Sequence, residues 1–147
     1  YFYPYNLYNQ NWSRITGNAQ LVRDIQKAIN GEYSAISCYE KLANLATTEE
    51  ERNQILEIRN DEIRHLDQFT RIYTSLTGGQ PKLEISEECP DAYNEGIKFA
   101  FKDEQETVDF YLNIAEKSTD PLIKDAFKRA AADEQNHAVW FLYFYKS

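Results

Sequence analysis

Apolar residues recur along most of this chain at alternating spacings of four and three, which places them on one face of an α-helix. The pattern predicts a first helix over about residues 18–46 and a second over about residues 48–77. Two further stretches of the same pattern begin at Tyr93 and Ile123 and predict a third and a fourth helix. Residues 1–17 are rich in Tyr and Asn and show no periodicity, so we predict an irregular segment there.

Signals at the predicted helix ends indicate how the helices are connected. Thr48 followed by Glu51 is a candidate capping box at the start of the second helix, and a glycine pair ends that helix. Tight turns join the helices within the first and the last pair, whereas residues 78–90 form a longer link. We therefore predict an all-α fold, an antiparallel four-helix bundle made of two helical hairpins with a long crossover between helices 2 and 3. This bundle is a single domain over residues 18–147.

Six ionisable residues stand on the predicted core faces, where apolar residues are expected. A trio of Glu, Glu and His occurs twice, and each member of the second trio follows its counterpart by 72 positions. Within each hairpin the two Glu residues are equidistant from the connecting turn, so they lie level along the bundle. Each His follows a Glu by three positions and shares its helix face. The six residues are Glu32, Glu62, His65, Glu104, Glu134 and His137.

Four carboxylates in one core require compensating positive charge. A buried carboxylate without compensation usually neutralises, and neighbouring carboxylates also repel one another. Two divalent metal ions would balance the four Glu side chains, with neutral imidazoles completing the coordination. The competing interpretation places the Glu side chains on solvent-exposed faces. In all four helices, however, the Glu falls at a position of the apolar four-three pattern. The pattern therefore predicts one dinuclear metal site.

This ligand pattern resembles that of the ferritin-like di-iron and di-manganese carboxylate proteins, in which two helices contribute one Glu each and the other two contribute Glu-x-x-His. The resemblance is closest to rubrerythrin-type proteins that lack the rubredoxin domain, since this chain has no CxxC module. It implies a ferritin-like bundle in which Glu62 and Glu134 bridge the metals. The first Glu and the His of each trio would then hold one metal apiece.

The resemblance also implies roles for residues around the metals. Asp61 and Asp133, each directly before a bridging Glu, would orient ligand histidines through their second ring nitrogens. Tyr39 and Tyr111, each seven residues after a ligand Glu, are similar to tyrosines beside the metals and are the candidate catalytic residues. Ordinary core packing is the competing interpretation for both tyrosines. Thr107 stands where rubrerythrins carry an additional Glu, so their peroxidase cycle does not transfer directly.

The function implied by this resemblance is that of a dinuclear oxidoreductase acting on dioxygen or hydrogen peroxide, with ferrous iron oxidation as a related activity. Two iron ions are the expected cofactor, because mixed oxygen and nitrogen ligation suits iron or manganese, although zinc could bind by affinity alone. An external electron donor would be needed. Two alternatives stay open: a manganese catalase-like enzyme that disproportionates peroxide without a reductant, and a non-catalytic metal-binding or coat-type protein.

Composition limits which binding partners and which cellular location are expected. The net charge of −8 and the pI near 4.8 argue against binding to nucleic acid or to an anionic membrane surface. No apolar run reaches the roughly 20 residues that span a bilayer. Cys38 and Cys89 form no CxxC pair, which fits a reducing compartment better than a disulfide scaffold, so we expect a cytoplasmic protein. Half-bundle surfaces in the resembling superfamily commonly dimerise, which makes a homodimer plausible.

Overall fold

The computed structural model describes the backbone of residues 5–147 and the side chains of residues 18–147. This part of the chain folds into four helices: α1 (Tyr5–Leu45), α2 (Glu49–Thr77), α3 (Tyr93–Lys117) and α4 (Pro121–Phe144). α1 packs mainly on α2, and α3 packs mainly on α4, so the chain forms two helical hairpins. Smaller contacts of α1 with α3 and of α2 with α4 join the hairpins. The predicted all-α four-helix bundle, with its long crossover between α2 and α3, is confirmed.

Capping residues define where α2 begins and ends and where α4 begins. Thr48 Oγ1 accepts a hydrogen bond from the backbone N–H of Glu51 at 3.1 Å and donates one to its carboxylate at 2.9 Å. Gly78 follows α2 with φ of 75°, a left-handed conformation that suits glycine. Asp120 Oδ1 accepts from the backbone N–H of Leu122 at 2.8 Å, and a proline takes the first position of α4. These contacts end the helices where the sequence predicted tight turns and the crossover.

The start of α1 differs from the prediction. The helix begins at Tyr5, so the predicted irregular segment is wrong over residues 5–17, while residues 1–4 lie outside the described part of the chain. No proline interrupts the sequence between Tyr5 and Leu45. Because a formed helix gains one hydrogen bond with each added residue, it can continue past its periodic apolar face. The domain boundary after residue 17 stays a prediction.

The buried core consists of two apolar clusters, one toward each end of the bundle. The first includes Phe69 and Phe127, and the second includes Leu42, Ile55 and Phe141. Along each helix, the Glu of the predicted site falls between residues of the first cluster and residues of the second. The ionisable residues therefore occupy a middle layer that apolar side chains cover from both ends.

The crossover runs alongside a polar stripe on α1, whose members are Gln26, Asn30, Ser34 and Cys38. Gln26 Nε2 donates a hydrogen bond to the carbonyl oxygen of Lys82 at 2.8 Å. Asn30 Oδ1 accepts from a crossover N–H at 3.2 Å, and Ser34 Oγ accepts from the backbone N–H of Ser86 at 2.8 Å. Residues spaced by four share one helix face, so this stripe holds the crossover against α1.

The two cysteines are paired, contrary to the prediction. Cys38 and Cys89 form a disulfide with a Cα–Cα distance of 5.3 Å, within the range that a disulfide requires. The residues are 51 positions apart in sequence, and only the path of the crossover beside α1 brings them together. The expectation of a cytoplasmic location loses the support that it drew from unpaired cysteines.

Membrane-spanning segments were not predicted from the sequence. Among the described residues, no helix is long and apolar enough to cross a membrane.

Candidate metal centre

The structure brings the six predicted ligand residues together in the middle layer of the bundle. Glu32 lies on α1 and Glu104 lies on α3, while α2 and α4 each contribute a Glu and the His three residues later. All six residues are at most 3% exposed. Their common position follows from the helical period, since each residue continues the buried face of its helix.

Two groups of four potential ligand atoms form within this cluster, and the atoms of each group lie within 4.8 Å of one another. The groups are Glu32, Glu62, His65 and Glu134, and Glu62, Glu104, Glu134 and His137. Glu62 and Glu134 thus belong to both groups. Carboxylates shared in this way are positioned to bridge two ions.

The spacing of the ligand atoms suits metal ions. His65 Nδ1 lies 3.1 Å from Glu134 Oε1 and 3.4 Å from Glu62 Oε1. His137 Nδ1 lies 3.2 Å from Glu62 Oε1 and 3.7 Å from Glu104 Oε2. Ligand atoms that bind one ion at about 2.1 Å lie roughly 3 to 3.5 Å from each other. These separations therefore match atoms arranged around a common ion.

Unpartnered polar atoms provide an independent test of this fit. Within the part of the chain whose side chains are described, seven buried nitrogen or oxygen atoms lack a hydrogen-bond partner, and six belong to the predicted ligands. Each His leaves Nδ1 unpartnered and each Glu leaves one carboxylate oxygen. Leaving such an atom unsatisfied costs about 1–3 kcal/mol, so six in one place require common partners. Divalent ions bind carboxylate oxygen and imidazole nitrogen together, and the residues present fit a dinuclear centre.

Two aspartates hold the histidines from across the bundle. His65 Nε2 lies 2.8 Å from Asp133 Oδ2, and His137 Nε2 lies 2.8 Å from Asp61 Oδ2. We assign the proton to Nε2 in both histidines, because an ionised carboxylate can only accept a hydrogen bond. Nδ1 is then the ring nitrogen that faces the cluster and can bind a metal ion once its proton has been displaced. Each aspartate precedes the shared Glu of one hairpin and orients the His of the other.

Removing either aspartate is expected to weaken the binding of one ion more than the other. Asp133→Ala frees the ring of His65, and Asp61→Ala frees the ring of His137. Loss of a residue that hydrogen-bonds to a ligand histidine typically lowers metal affinity by about 10–100-fold. Titration against a chelator measures both affinities, with Asp67→Ala at an exposed site on α2 as the control. Unchanged affinities in both variants would contradict the orienting role.

The two predicted tyrosines bond to carboxylates of the opposite hairpin. Tyr39 donates from its hydroxyl to Glu104 Oε1 at 2.5 Å, and Tyr111 donates to Glu32 Oε1. Burial, together with the nearby Glu carboxylates, raises the pKa of both phenols well above the usual value. Both hydroxyls therefore keep their protons at neutral pH, and each fixes the position of one potential ligand.

Protons balance much of the negative charge in the metal-free protein. Burial raises the pKa of Glu32 and Glu134 well above the usual value, and neighbouring carboxylates raise it further. Burial lowers the pKa of His65, but the hydrogen bond to Asp133 and the nearby Glu carboxylates outweigh burial and raise it to about 12. Burial also lowers the pKa of His137, but the nearby carboxylates of Glu104 and Glu62 outweigh burial and raise it to about 11. Metal ions must displace these protons, so metal binding should strengthen as pH rises.

The stability of the metal-free protein is expected to fall as pH rises from about 6.5 to about 8.5. This window lies above the ordinary histidine pKa of about 6.5 and below the raised values of His65 and His137, about 12 and about 11. The folded protein therefore keeps protons that the unfolded chain releases. The free energy of unfolding should decrease by at least about 1 kcal/mol across the window.

Denaturant titrations with a chelator present measure this change. The metal-loaded protein should show the opposite trend, because a higher pH favours deprotonated ligands. A metal-free protein that becomes more stable across the window would contradict the hydrogen bonds assigned to the histidines.

A cavity of about 450 Å³ reaches this cluster from exposed residues on α1. Its lining includes Glu32 at the inner end and, near the crossover, Glu87 and Asp103. Burial, and then Glu87, raises the pKa of Asp103 to about 8. Thr107, the position that departs from rubrerythrins, also lines the cavity. Sequence reasoning missed this cavity, although Asp103 precedes Glu104 as the two orienting aspartates precede their glutamates.

Comparison with known proteins shows which family the second hairpin matches. Residues 95–147, which include most of α3 and all of α4, match the family model described as Rubrerythrin. This match over the second hairpin supports the resemblance to ferritin-like proteins of the rubrerythrin type that the ligand pattern predicted.

A curated relative shares most of the chain. The sequence is 60% identical over 124 residues to "Uncharacterized protein YhjR" of Bacillus subtilis (strain 168), a match that covers 84% of this chain and 86% of the relative. Because the match spans nearly the whole of both chains, the two proteins are members of one family.

Two solved structures share the fold. A hypothetical protein from Pyrococcus furiosus superposes with a TM-score of 0.74 at 21% identity, covering 85% of this chain and 87% of its own. A two-domain protein from Anabaena variabilis, with DJ-1/ThiJ/PfpI-like and ferritin-like domains, gives a TM-score of 0.68 at 20% identity. This match covers 87% of the present chain and 36% of the Anabaena protein. At these identities the likeness establishes the fold alone.

Proposed function

We propose that this protein is a dinuclear metal oxidoreductase that reduces hydrogen peroxide or dioxygen, with ferrous iron oxidation as a related activity. The observation that carries the proposal is the convergence of six unpartnered ligand atoms, one on each predicted ligand, in the middle layer of the bundle. The match of residues 95–147 to the rubrerythrin family model supports the same chemistry.

Iron is the metal that we propose, because a carboxylate-rich set of oxygen and nitrogen ligands suits it. Glu62 and Glu134 would bridge two ions, and each remaining Glu and His pair would complete the ligands of one ion. When bound, the ions would supply electrons to the oxidant and stabilise negative charge on its oxygen atoms. Manganese suits the same ligands, and zinc could occupy them as purified.

The protein's own residues would bind the oxidant and keep the ligands in place. The cavity beside Glu32 gives a small oxidant access to a site that is otherwise buried. The hydroxyls of Tyr39 and Tyr111 hold one carboxylate each, so we propose that both tyrosines act at the site by positioning Glu104 and Glu32. The aspartates hold the histidines in the tautomer that can bind metal.

Partners and location follow from this chemistry. Sustained reduction needs an external electron donor, and a cytoplasmic location would supply one from a reducing compartment. A homodimer is our proposed assembly, supported by Val139, Leu142 and Tyr143, which share one face of α4 and are 59%, 53% and 69% exposed.

Peroxide consumption with and without an electron donor tests the proposed function. Protein loaded anaerobically with ferrous iron should consume hydrogen peroxide continuously when reduced viologen is present. Without the donor it should stop after a stoichiometric amount. Continuous loss without a donor would instead favour the catalase-like alternative, and bound metal without any consumption would favour a non-catalytic metal-binding protein. Either result would contradict the proposal.

A further inference from the structure

The disulfide adjoins a residue that contacts the candidate metal centre. Cys38 precedes Tyr39, whose hydroxyl donates to the potential ligand Glu104 at 2.5 Å. Cys38 is 5% exposed, whereas Cys89 on the crossover is only partly buried. One residue of the pair is therefore buried in the bundle, and the other is closer to solvent.

Two neighbouring cavities lie between the disulfide and the cluster and share part of their lining. The larger, of about 450 Å³, is lined by Glu32, Glu62 and Glu134. The smaller is lined by Cys38 and Tyr39. Both cavities are also lined by the same three residues: Ala35, Glu87 and Asp103. The disulfide and the potential ligands thus border adjacent spaces that share part of their lining.

The chemical capacity of the pair matches the need of the proposed reaction. Cys38 and Cys89 are the two cysteines of the chain, which contains no methionine. A dithiol that becomes a disulfide releases two electrons, and hydrogen peroxide accepts two electrons when it forms two waters. The 147 residues of the sequence include no rubredoxin-type CxxC module that could supply them.

We infer that Cys38 and Cys89 are a redox-active pair that donates two electrons to peroxide reduction at the candidate metal centre. In the net reaction the two S–H bonds and the O–O bond break, and one S–S bond forms. Two electrons pass from sulfur to the peroxide oxygens, and the two thiol protons leave in two molecules of water. This inference rests on the proposed function.

An external thiol would return the pair to its reduced form. A thiolate attacks one sulfur of a disulfide, and the other sulfur leaves. Cys89 is the accessible target, because it is the less buried of the two residues and lies in a segment without helix or strand. The competing interpretation is a purely structural disulfide that fastens the crossover to α1, as the polar stripe also does.

Peroxide titration of the same chain in two redox forms separates these interpretations. Wild-type protein is prepared with the pair reduced or with the disulfide intact, freed of small thiols, and loaded anaerobically with two ferrous ions per chain. Ferrous ions account for one equivalent of peroxide in both forms. The reduced form should consume about two equivalents and the disulfide form about one. Alkylation followed by mass spectrometry should show that both thiols disappear with the second equivalent.

Three controls complete the experiment. Cys89→Ser should bind the same amount of iron and consume about one equivalent. Ser34→Ala removes a neighbouring anchor of the crossover but keeps both thiols, so its reduced form should still consume about two. Reduced metal-free wild-type protein should keep its thiols over the same interval.

The outcomes distinguish failure of the inference from failure of the proposed function. One equivalent consumed by the reduced wild-type protein, with both thiols still free, would overturn the inference alone. Equally fast loss of thiols without metal would also overturn it. No consumption by either iron-loaded form would overturn the proposed function, and the inference with it.

Discussion

Replacing Glu62 and Glu134 together with alanine is expected to abolish the binding of both metal ions. These two carboxylates belong to both groups of potential ligand atoms, so their loss removes two ligands from each ion at once. The affinity for metal should fall by more than the roughly 100-fold that can follow from losing a residue hydrogen-bonded to a ligand. Elemental analysis after anaerobic loading with ferrous iron measures the result.

A matched control shows whether charge alone explains the loss. Glu106→Ala removes an exposed carboxylate two residues from Glu104, on a different face of α3, and should leave both ions bound. Circular dichroism should show the same helical content in the double variant, because the variant removes buried carboxylates that have few protein partners. Retention of both ions by the double variant would refute the bridging assignment.

Phe69→Ala is expected to lower the free energy of unfolding by about 3–5 kcal/mol. The Phe69 ring is fully buried and stacks on Phe127 with a centroid distance of 4.3 Å. It also stacks on the ring of His65 at 5.9 Å and meets Tyr111 edge-on at 5.3 Å. Alanine would leave a void in the first apolar cluster, next to the ring of His65. Both the packing of this cluster and the position of a potential ligand would then be disturbed.

Denaturant titration of the metal-free variant measures this loss separately from metal binding. Leu122→Ala is the control, since Leu122 is 79% exposed and its replacement should change stability by less than about 0.5 kcal/mol. A loss below about 1 kcal/mol in Phe69→Ala would mean that the ring does not pack as described.

The residues of the middle layer could be predicted from the sequence, because residues that share a helix face are close together along the chain. Glu32 and Glu104 continue apolar faces with the regular four-three spacing, and the duplicated trio fixes which residues lie level. Which histidine each orienting aspartate contacts could not be predicted in this way. Asp133 holds His65 of the other hairpin, and that pairing depends on how α2 packs against α4.

Features that depend on the crossover were missed for the same reason. The disulfide between Cys38 and Cys89 forms because the crossover returns along α1, and sequence separation carries no information about that path. The polar residues at every fourth position before Cys38 were a local signal of a contact face on α1. The continuation of α1 back to Tyr5 escaped a search for apolar periodicity, because a helix can extend beyond its buried face.

The metal content of the wild-type protein tests the central claim most directly. The protein is purified without added metal, and metals per chain are counted by elemental analysis before and after anaerobic loading with ferrous iron. The arrangement of the six ligand residues predicts about two iron atoms per chain after loading. Binding of no metal, before or after loading, would contradict a dinuclear centre and leave the six unpartnered atoms to be explained by protonation alone.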